Sequence, residues 1–278
     1  MRVERELARG RVVIVAGFQG ESPRREITTL GRGGSDASAV ALAAALRADR
    51  CEIFSDVDGV YTADPRVCPA ASRIERLGYD EMCALARQGA RVLNTRSVEI
   101  ARRDGVIIHA RSTFGGDAHT VVRPDEPEGG RVVGIAGRSD LWRVTSQPAA
   151  ACRAGELAMR ARCDALFVRT DGEDALEMVL TTEDLPHREA LRRDLEAAGA
   201  RVEDELGSAA AVGLGAGQDR GILEAAERAL EASGVEVIAR FAANDALTFV
   251  VPRALVEEGM RALHAAFCEA RAGDRRVA

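Results

Sequence analysis

The chain contains no lysine, because all 38 of its basic residues are arginine. Arginine carries a planar, permanently charged guanidinium in place of a compact ammonium group, so the two residues are not interchangeable at a phosphate site. The composition therefore excludes any mechanism that needs a lysine from this chain.

Other classes of protein are excluded by what the sequence has little of. A net charge of -6 and a pI near 5.5 leave no basic face for nucleic acid. No apolar run approaches the roughly 20 residues of a membrane span. The charged N-terminus is not followed by the apolar region of a secretory signal. We therefore expect a cytoplasmic protein with neither nucleic-acid nor membrane partners.

Cysteine and histidine are scattered. The six cysteines form no C-x-x-C pair and the four histidines are dispersed, so metal-ligand spacing is absent and a disulfide framework is not expected at this size. The sequence predicts no metal site, and it predicts buried, unreactive thiols for most of the cysteines, which are Cys51, Cys68, Cys83, Cys152, Cys163 and Cys268.

A length of 278 residues suggests about two domains. In the first, the apolar run Val12–Ala16 predicts a buried parallel strand. Ser35 is the predicted N-cap of a helix over Asp36–Arg47, and Cys51–Phe54 predicts the next strand. Residues 12–56 would then form one right-handed β-α-β unit.

Further patterns follow to the end of the chain. Helices are predicted at 79–90 and 96–104, a strand at 106–110, and a linker over the Gly-, Pro- and acid-rich residues 115–130. The second half alternates strands at 132–136, 141–145, 165–169, 176–180, 209–214, 235–240 and 247–251 with helices at 149–162, 187–198, 221–233 and 253–270. This predicts an α/β domain over 1–125 and two ferredoxin-like β-α-β-β-α-β units over 126–278.

The segment G-R-G-G-S-D at Gly31–Asp36 is a glycine-rich turn that opens a helix. Such a turn lets backbone N–H groups approach an anion closely. Arg32 can hold a carboxylate or a phosphate and Asp36 an ammonium group, which together suit an amino acid. The alternative is a tight turn with a solvated ion pair and a helix cap.

The segment S-D-V-D-G-V-Y-T-A-D-P-R at Ser55–Arg66 follows a predicted strand, where open α/β sheets bind ligands. Asp56 and Asp58 can orient ribose hydroxyls or belong to a Mg²⁺ shell, Tyr61 can pack on a base, and Arg66 can reach phosphate. Considered by itself, this segment is better explained as an acidic surface loop in which Pro65 forms a turn.

Together with I-T-T-L before Gly31, Y-D-E-M at 79–82 and G-A-R-V-L-N-T-R-S-V-E at 89–99, these segments resemble the aspartate kinases of the amino-acid kinase superfamily. The resemblance is close over residues 12 to about 114. The second half is similar in pattern to that family's paired ACT regulatory domains, most clearly over Leu247–Pro252 and the helix that follows.

The resemblance implies that ATP, with Mg²⁺, phosphorylates the side-chain carboxylate of L-aspartate, mostly by positioning and charge neutralisation. It places Arg32 on a substrate carboxylate and Asp36, beside Ser35, on the amino group. Ser55, Asp56, Tyr61 and Arg66 would line the nucleotide site. Arg91 stands where the family usually has a phosphate-contacting lysine. The resemblance carries over no catalytic residue.

Several features depart from the family pattern. The family opens with a lysine-glycine-glycine turn and a substrate-binding glutamate, and neither is found here. Asn94-Thr95 replaces the usual His-Pro, and Gln147-Pro148-Ala149 replaces the Asp-x-x-Gly effector loop of ACT domains. The resemblance therefore implies a kinase domain without its N-terminal part, whose sheet needs a partner, and an altered effector site.

Three functions stay open from the sequence. The first is an aspartate kinase whose active site is completed by upstream sequence or by another subunit, acting in aspartate-family amino-acid biosynthesis under allosteric regulation. The second is a non-catalytic regulatory or interaction subunit of an aspartate kinase, associating as a homo- or hetero-oligomer through its ACT domains. The third is an inactive relative that still binds a ligand.

Overall fold

A computed structural model describes residues 2–124, 131–170, 176–183, 185 and 187–269. The chain divides into two compact units: unit 1 is Met1–Thr62 with Ser72–Glu128, and unit 2 is Ala63–Ala71 with Gly129–Ala278. The predicted domain boundary at residue 125 lies outside the described residues. No helix among the described residues combines the length and apolarity needed to cross a membrane.

Unit 1 is an α/β unit built around a four-stranded mixed sheet. Its elements are α1 (Arg2–Leu7), β1 (Gln19–Glu21), β2 (Ile27–Thr29), α2 (Gly34–Leu46), β3 (Cys51–Ser55), β4 (Arg76–Gly78), α3 (Tyr79–Arg87), α4 (Thr95–Asp104), β5 (Ile108–Ser112) and β6 (His119–Arg123). The strand order is β3-β5-β6-β4, with β3 parallel to β5, β5 antiparallel to β6, and β4 parallel to β6. Strands β1 and β2 pair in a separate hairpin.

The predicted strand at Val12–Ala16 is wrong. These residues belong to no strand, and Val12 and Ile14 are 92% and 95% exposed. The predicted β-α-β unit over 12–56 is therefore not formed, and β3 is an edge strand of the described sheet. An apolar run shows that a segment favours burial, but a strand also needs a neighbour to pair with, and Val12–Ala16 has none among the described residues.

Two other predictions for unit 1 are corrected. Helix α2 begins at Gly34 with Gly33 as its N-cap, so Ser35 lies in the first turn and not at the cap. Gly33 has φ +66°, and this left-handed turn starts the helix earlier than the serine signal indicates. Strand β6 occupies part of the predicted linker at 115–130. Thr120 and Val122 are buried and the residues between and beside them are more exposed, which is the alternation of a strand. Residues 125–130 of that linker lie outside the described residues.

Unit 2 is an α+β unit with one antiparallel sheet in the order β11-β12-β10-β7-β9-β8. Its elements are β7 (Gly134–Ser146), α5 (Pro148–Arg160), β8 (Ala165–Thr170), β9 (Leu176–Thr181), α6 (Arg188–Ala197), β10 (Ala200–Val212), α7 (Arg220–Ala232), β11 (Ala239–Ala243), β12 (Ala246–Pro252) and α8 (Val256–His264). The first repeat, β7-α5-β8-β9-α6-β10, has the ferredoxin-like strand order that the sequence predicts.

The second repeat shares its strands with the first. Its elements follow the order β10-α7-β11-β12-α8. The first half of β7 pairs with β10 and takes the position of the last strand that this repeat lacks. The predicted strands at 132–136 and 141–145 thus belong to one strand, and the predicted strand at 209–214 overlaps the second half of β10, which ends at Val212. The polar residues Arg138 and Asp140 interrupt the apolar pattern and coincide with a shift in the register between β7 and β10, but they pair with each other and the strand continues through them.

Segment Ala63–Ala71 packs in unit 2 although its neighbours on both sides belong to unit 1. Ala63 and Cys68 are buried in the core that also contains Phe249 of β12 and Leu263 of α8. The predicted nucleotide loop Ser55–Arg66 is therefore divided between the two units after Thr62.

We expect Phe249→Ala to destabilise unit 2 by about 3–5 kcal/mol, because the ring is fully buried and its removal leaves a cavity. Met159→Ala is the matched control, since Met159 is 78% exposed on α5 of the same unit, and we expect about 1 kcal/mol or less. Urea unfolding followed by the fluorescence of Trp142, the only tryptophan and buried in unit 2, measures the change. Equal losses in the two variants would contradict this packing.

Candidate functional site

The glycine-rich loop Gly31–Asp36 is shaped by two glycines with left-handed backbone, Gly31 (φ +80°) and Gly33 (φ +66°). The loop leads directly into α2, so the first-turn N–H groups of this helix lie beside it. A side chain at Gly33 would overlap the side chain of Asn94, which explains why this position has no Cβ. The loop therefore fits closely against the start of α4.

Asn94 joins this loop to helix α4. Its Oδ1 accepts a hydrogen bond of 2.9 Å from the N–H of Arg96 and so caps the helix. Its Nδ2 donates one of 3.2 Å to the carbonyl oxygen of Arg32. The backbone N–H of Asn94 donates to the carboxylate of Asp36. One residue thus contacts both of the charged residues predicted to hold an amino acid.

The carboxylate of Asp36 is partly buried. This burial raises its pKa above the usual value, while the N–H of Asn94 and the hydroxyl of Ser35 act in the opposite direction. As the pH falls, Asp36 therefore loses its negative charge earlier than an exposed aspartate would. An ammonium group that pairs with Asp36 would lose affinity over the same pH range.

The acidic loop after β3 is organised around Asp58. The Tyr61 hydroxyl donates a 2.8 Å hydrogen bond to Asp58 Oδ1, and Arg73 Nε lies 3.9 Å from Asp58 Oδ2. The bond to Asp58 raises the pKa of Tyr61, and desolvation adds to the shift. Asp56 is exposed, and the hydroxyl of Ser55 accepts from the N–H of Val57 within its own turn.

Thr120 holds this loop from β6. Its hydroxyl accepts a 2.8 Å hydrogen bond from the N–H of Val60 and donates one of 2.6 Å to the carbonyl oxygen of Ile74. Gly59 lies against the same side chain, and its φ of +145° and the nearness of Thr120 leave no room for a Cβ. Thr120 is fully buried, so the loop is fixed by a contact 60 residues away in the chain.

The predicted site residues fall into separate groups. Asp36 and the backbone of Arg32 meet at Asn94, with Ser35 in the first turn of α2 and Arg91 exposed just before α4. Ser55, Asp56 and Tyr61 lie on the acidic loop of unit 1. Arg66 lies in unit 2, where its guanidinium pairs with Asp64 at 2.7 Å.

Sequence reasoning missed Arg73 and Thr120 as parts of the acidic loop. Thr120 lay within the predicted linker, and nothing in the local pattern connects Arg73 with Asp58. Asn94 did carry a signal, because an asparagine directly before a helical run is a preferred N-cap. Its contact with Arg32 depends on tertiary packing and had no signal.

The cysteines of the described part of the chain form no disulfide. Cys51, Cys68 and Cys83 are buried, and burial raises the pKa of each to about 11, as expected for unreactive thiols. Cys152 is exposed. Among the described residues, no three His, Cys, Asp or Glu side chains are arranged to hold a metal ion.

Comparison with known proteins identifies the family. Residues 1–111 match the amino acid kinase family. An aspartokinase of Thermus thermophilus is 35% identical over 96% of this chain, which spans 69% of that relative. The chain belongs to the aspartokinase family. The Corynebacterium glutamicum aspartokinase is 55% identical over a shorter region, 44% of this chain and 29% of that protein.

A solved structure supports the same assignment. Escherichia coli aspartokinase III in complex with aspartate and ADP, in the R-state, has a TM-score of 0.82 and 28% identity over 96% of this chain. This chain spans 63% of that protein's chain. The similarity confirms the predicted fold class, a kinase-like α/β unit followed by a β-rich α+β unit.

We expect Thr120→Val to destabilise unit 1 by about 1–3 kcal/mol, because the buried N–H of Val60 loses its acceptor. Thr120→Ser is the matched control, since it keeps the hydroxyl and should retain most of the stability. Hydrogen exchange of the Val60 amide should rise in the valine variant and stay slow in the serine variant. Equal protection in both variants would show that the hydroxyl does not hold the loop.

Proposed function

We propose that this chain takes part in the ATP-dependent phosphorylation of the side-chain carboxylate of L-aspartate to aspartyl phosphate. The observation that carries the proposal is the contact of Asn94 with both Arg32 and Asp36, which sets a guanidinium-bearing and a carboxylate-bearing residue on one fixed loop. A site that binds an α-amino acid needs both a cation and an anion, because the amino acid has a carboxylate and an ammonium group on the same carbon.

In this reaction a carboxylate oxygen of aspartate attacks the γ-phosphorus of ATP and ADP leaves. Such transfers depend on positioning and on neutralising the phosphate charge. In our proposal Arg32 holds a substrate carboxylate, and Asp36, beside Ser35, holds the amino group. Because the chain has no lysine, any cation it supplies to the phosphates is an arginine, and we propose Arg91.

For the nucleotide we propose the acidic loop with Ser55, Asp56 and Tyr61. Support comes from Escherichia coli aspartokinase III, which was crystallised with aspartate and ADP. Mg²⁺ commonly binds through few carboxylates plus phosphate oxygens. The exposed carboxylate of Asp56 fits that role better than Asp58, which already binds Tyr61. The ion would neutralise charge on the phosphates.

A second candidate is a non-catalytic subunit of an aspartokinase. It is favoured by apolar side chains that lie open on unit 1, namely Val12, Ile14 and Ile27, because such surface on a folded unit marks a contact with further polypeptide. Met159 and Val168 are similarly exposed on unit 2. In this candidate the ACT-like repeats of unit 2 associate with another copy or another chain.

One assay separates these candidates. The chain is incubated with L-aspartate, ATP and Mg²⁺, alone and with the part of the Thermus thermophilus aspartokinase that has no counterpart here, and aspartyl phosphate is trapped with hydroxylamine. Hydroxamate formed in either mixture supports the enzyme. Formation of a stable complex without hydroxamate would favour the non-catalytic subunit instead.

Asp36→Asn tests the amino-acid site. We expect the KM for aspartate to rise at least about tenfold with little change for ATP, because the amide cannot neutralise the ammonium group. In the parent chain the KM for aspartate should rise as the pH falls. Because the pKa of Asp36 is raised, this rise should begin at a higher pH than it would for an aspartate side chain with the usual pKa. Asp49→Asn, at an exposed position after α2, is the control and should change neither constant.

A further inference from the structure

We propose that Asn94 is a positioning residue, which holds Arg32 and Asp36 in the orientation that binds the amino-acid substrate. The inference rests on the proposed function above and adds a residue to it. Asn94 would not contact the substrate. It would act through the backbone of the loop Gly31–Asp36.

The first support is that each of the four polar atoms of Asn94 makes a hydrogen bond. Nδ2 donates to the carbonyl oxygen of Arg32 at 3.2 Å, and Oδ1 accepts from Arg96 at 2.9 Å. The backbone N–H donates to Asp36, and the carbonyl oxygen accepts from the hydroxyl of Ser97 at 2.6 Å. The loop contacts are thus anchored on the first turn of α4, where Ser97 is fully buried.

The second support is steric. Gly33 lies between Arg32 and Asp36, and the space that its Cβ would fill is taken by the Asn94 side chain. Because Gly33 has no side chain and a left-handed backbone, the loop can approach the Asn94 amide closely enough for the hydrogen bond between Nδ2 and the carbonyl oxygen of Arg32. The Asn94 side chain therefore packs in the space left by the absence of a side chain at Gly33.

The third support is selectivity. Among the described residues, no hydrogen bond joins Asn94 to the acidic loop at 55–62, which depends on Thr120 and Arg73. Loss of the Asn94 amide should therefore affect the amino-acid site and leave the proposed nucleotide loop in place. A residue that only stabilised the fold would affect both sites alike.

Two variants isolate the amide. Asn94→Asp and Asn94→Ser both keep an oxygen that can cap α4, but both lose the N–H group that binds Arg32. We expect amide exchange of Gly34–Ala37 to quicken at least about fivefold while exchange of Ser97 and Val98 is unchanged. In the assay described above, we expect the KM for aspartate to rise about five- to tenfold, with kcat and the KM for ATP within about twofold of the parent values.

Asp219→Ala is the matched control, because Asp219 caps α7 of unit 2 through a 3.0 Å bond from Ile222 and its loss removes a cap without touching the loop. It should lower stability and change neither loop exchange nor KM. Unchanged exchange at Gly34–Ala37 in the Asn94 variants would overturn the inference. So would an unchanged KM for aspartate, or an equal rise for ATP. If the parent chain neither binds nor phosphorylates aspartate, the proposed function fails, and the exchange result alone still decides whether Asn94 holds the loop.

Discussion

The parallel pairing of β3 with β5 is the constraint on which unit 1 depends. It sets Ser55 opposite Ser112 and is extended by the N–H of Thr113, which donates to the carbonyl oxygen of Ser55 at 2.8 Å. Because a parallel pair needs a long crossover, the chain between the two strands must include α3 and α4 before it returns. Helix α4 therefore begins next to the loop that precedes α2, and the acidic loop begins where β3 ends.

The second unit depends on strands that are shared between its repeats. Strands β7 and β10 are each 13 residues long and pair along almost their whole length, so each half serves one of the two repeats. Two shifts in register between Glu203 and Ser208, with Glu205 at φ +55°, separate the halves. The edge strands β8 and β11 curl toward each other until Phe167 and Phe241 stack at 4.5 Å.

Helices were predictable because their signals are local. The apolar spacing of α5, α6 and α7 lies within each segment, and the predicted bounds of these helices and of α2 differ from the observed ones by only a few residues. Strands are pairwise structures, and this explains the failures. Val12–Ala16 is apolar without a partner strand among the described residues, whereas Arg138–Asp140 is polar and yet lies inside strand β7. The sequence of neither segment indicates which strand it will pair with.

The sequence by itself determined the family, the two-unit order of α/β before α+β, and the two loops that carry the candidate chemistry, since these depend on residue identity and short spacing. It also excluded lysine chemistry. Only the tertiary structure decided which residues hold those loops: Asn94 beneath Arg32 and Asp36, Thr120 beneath Val60, and Arg73 beside Asp58. These contacts join residues that are distant in the chain, and they form only when packing brings those residues within hydrogen-bonding or ion-pairing distance.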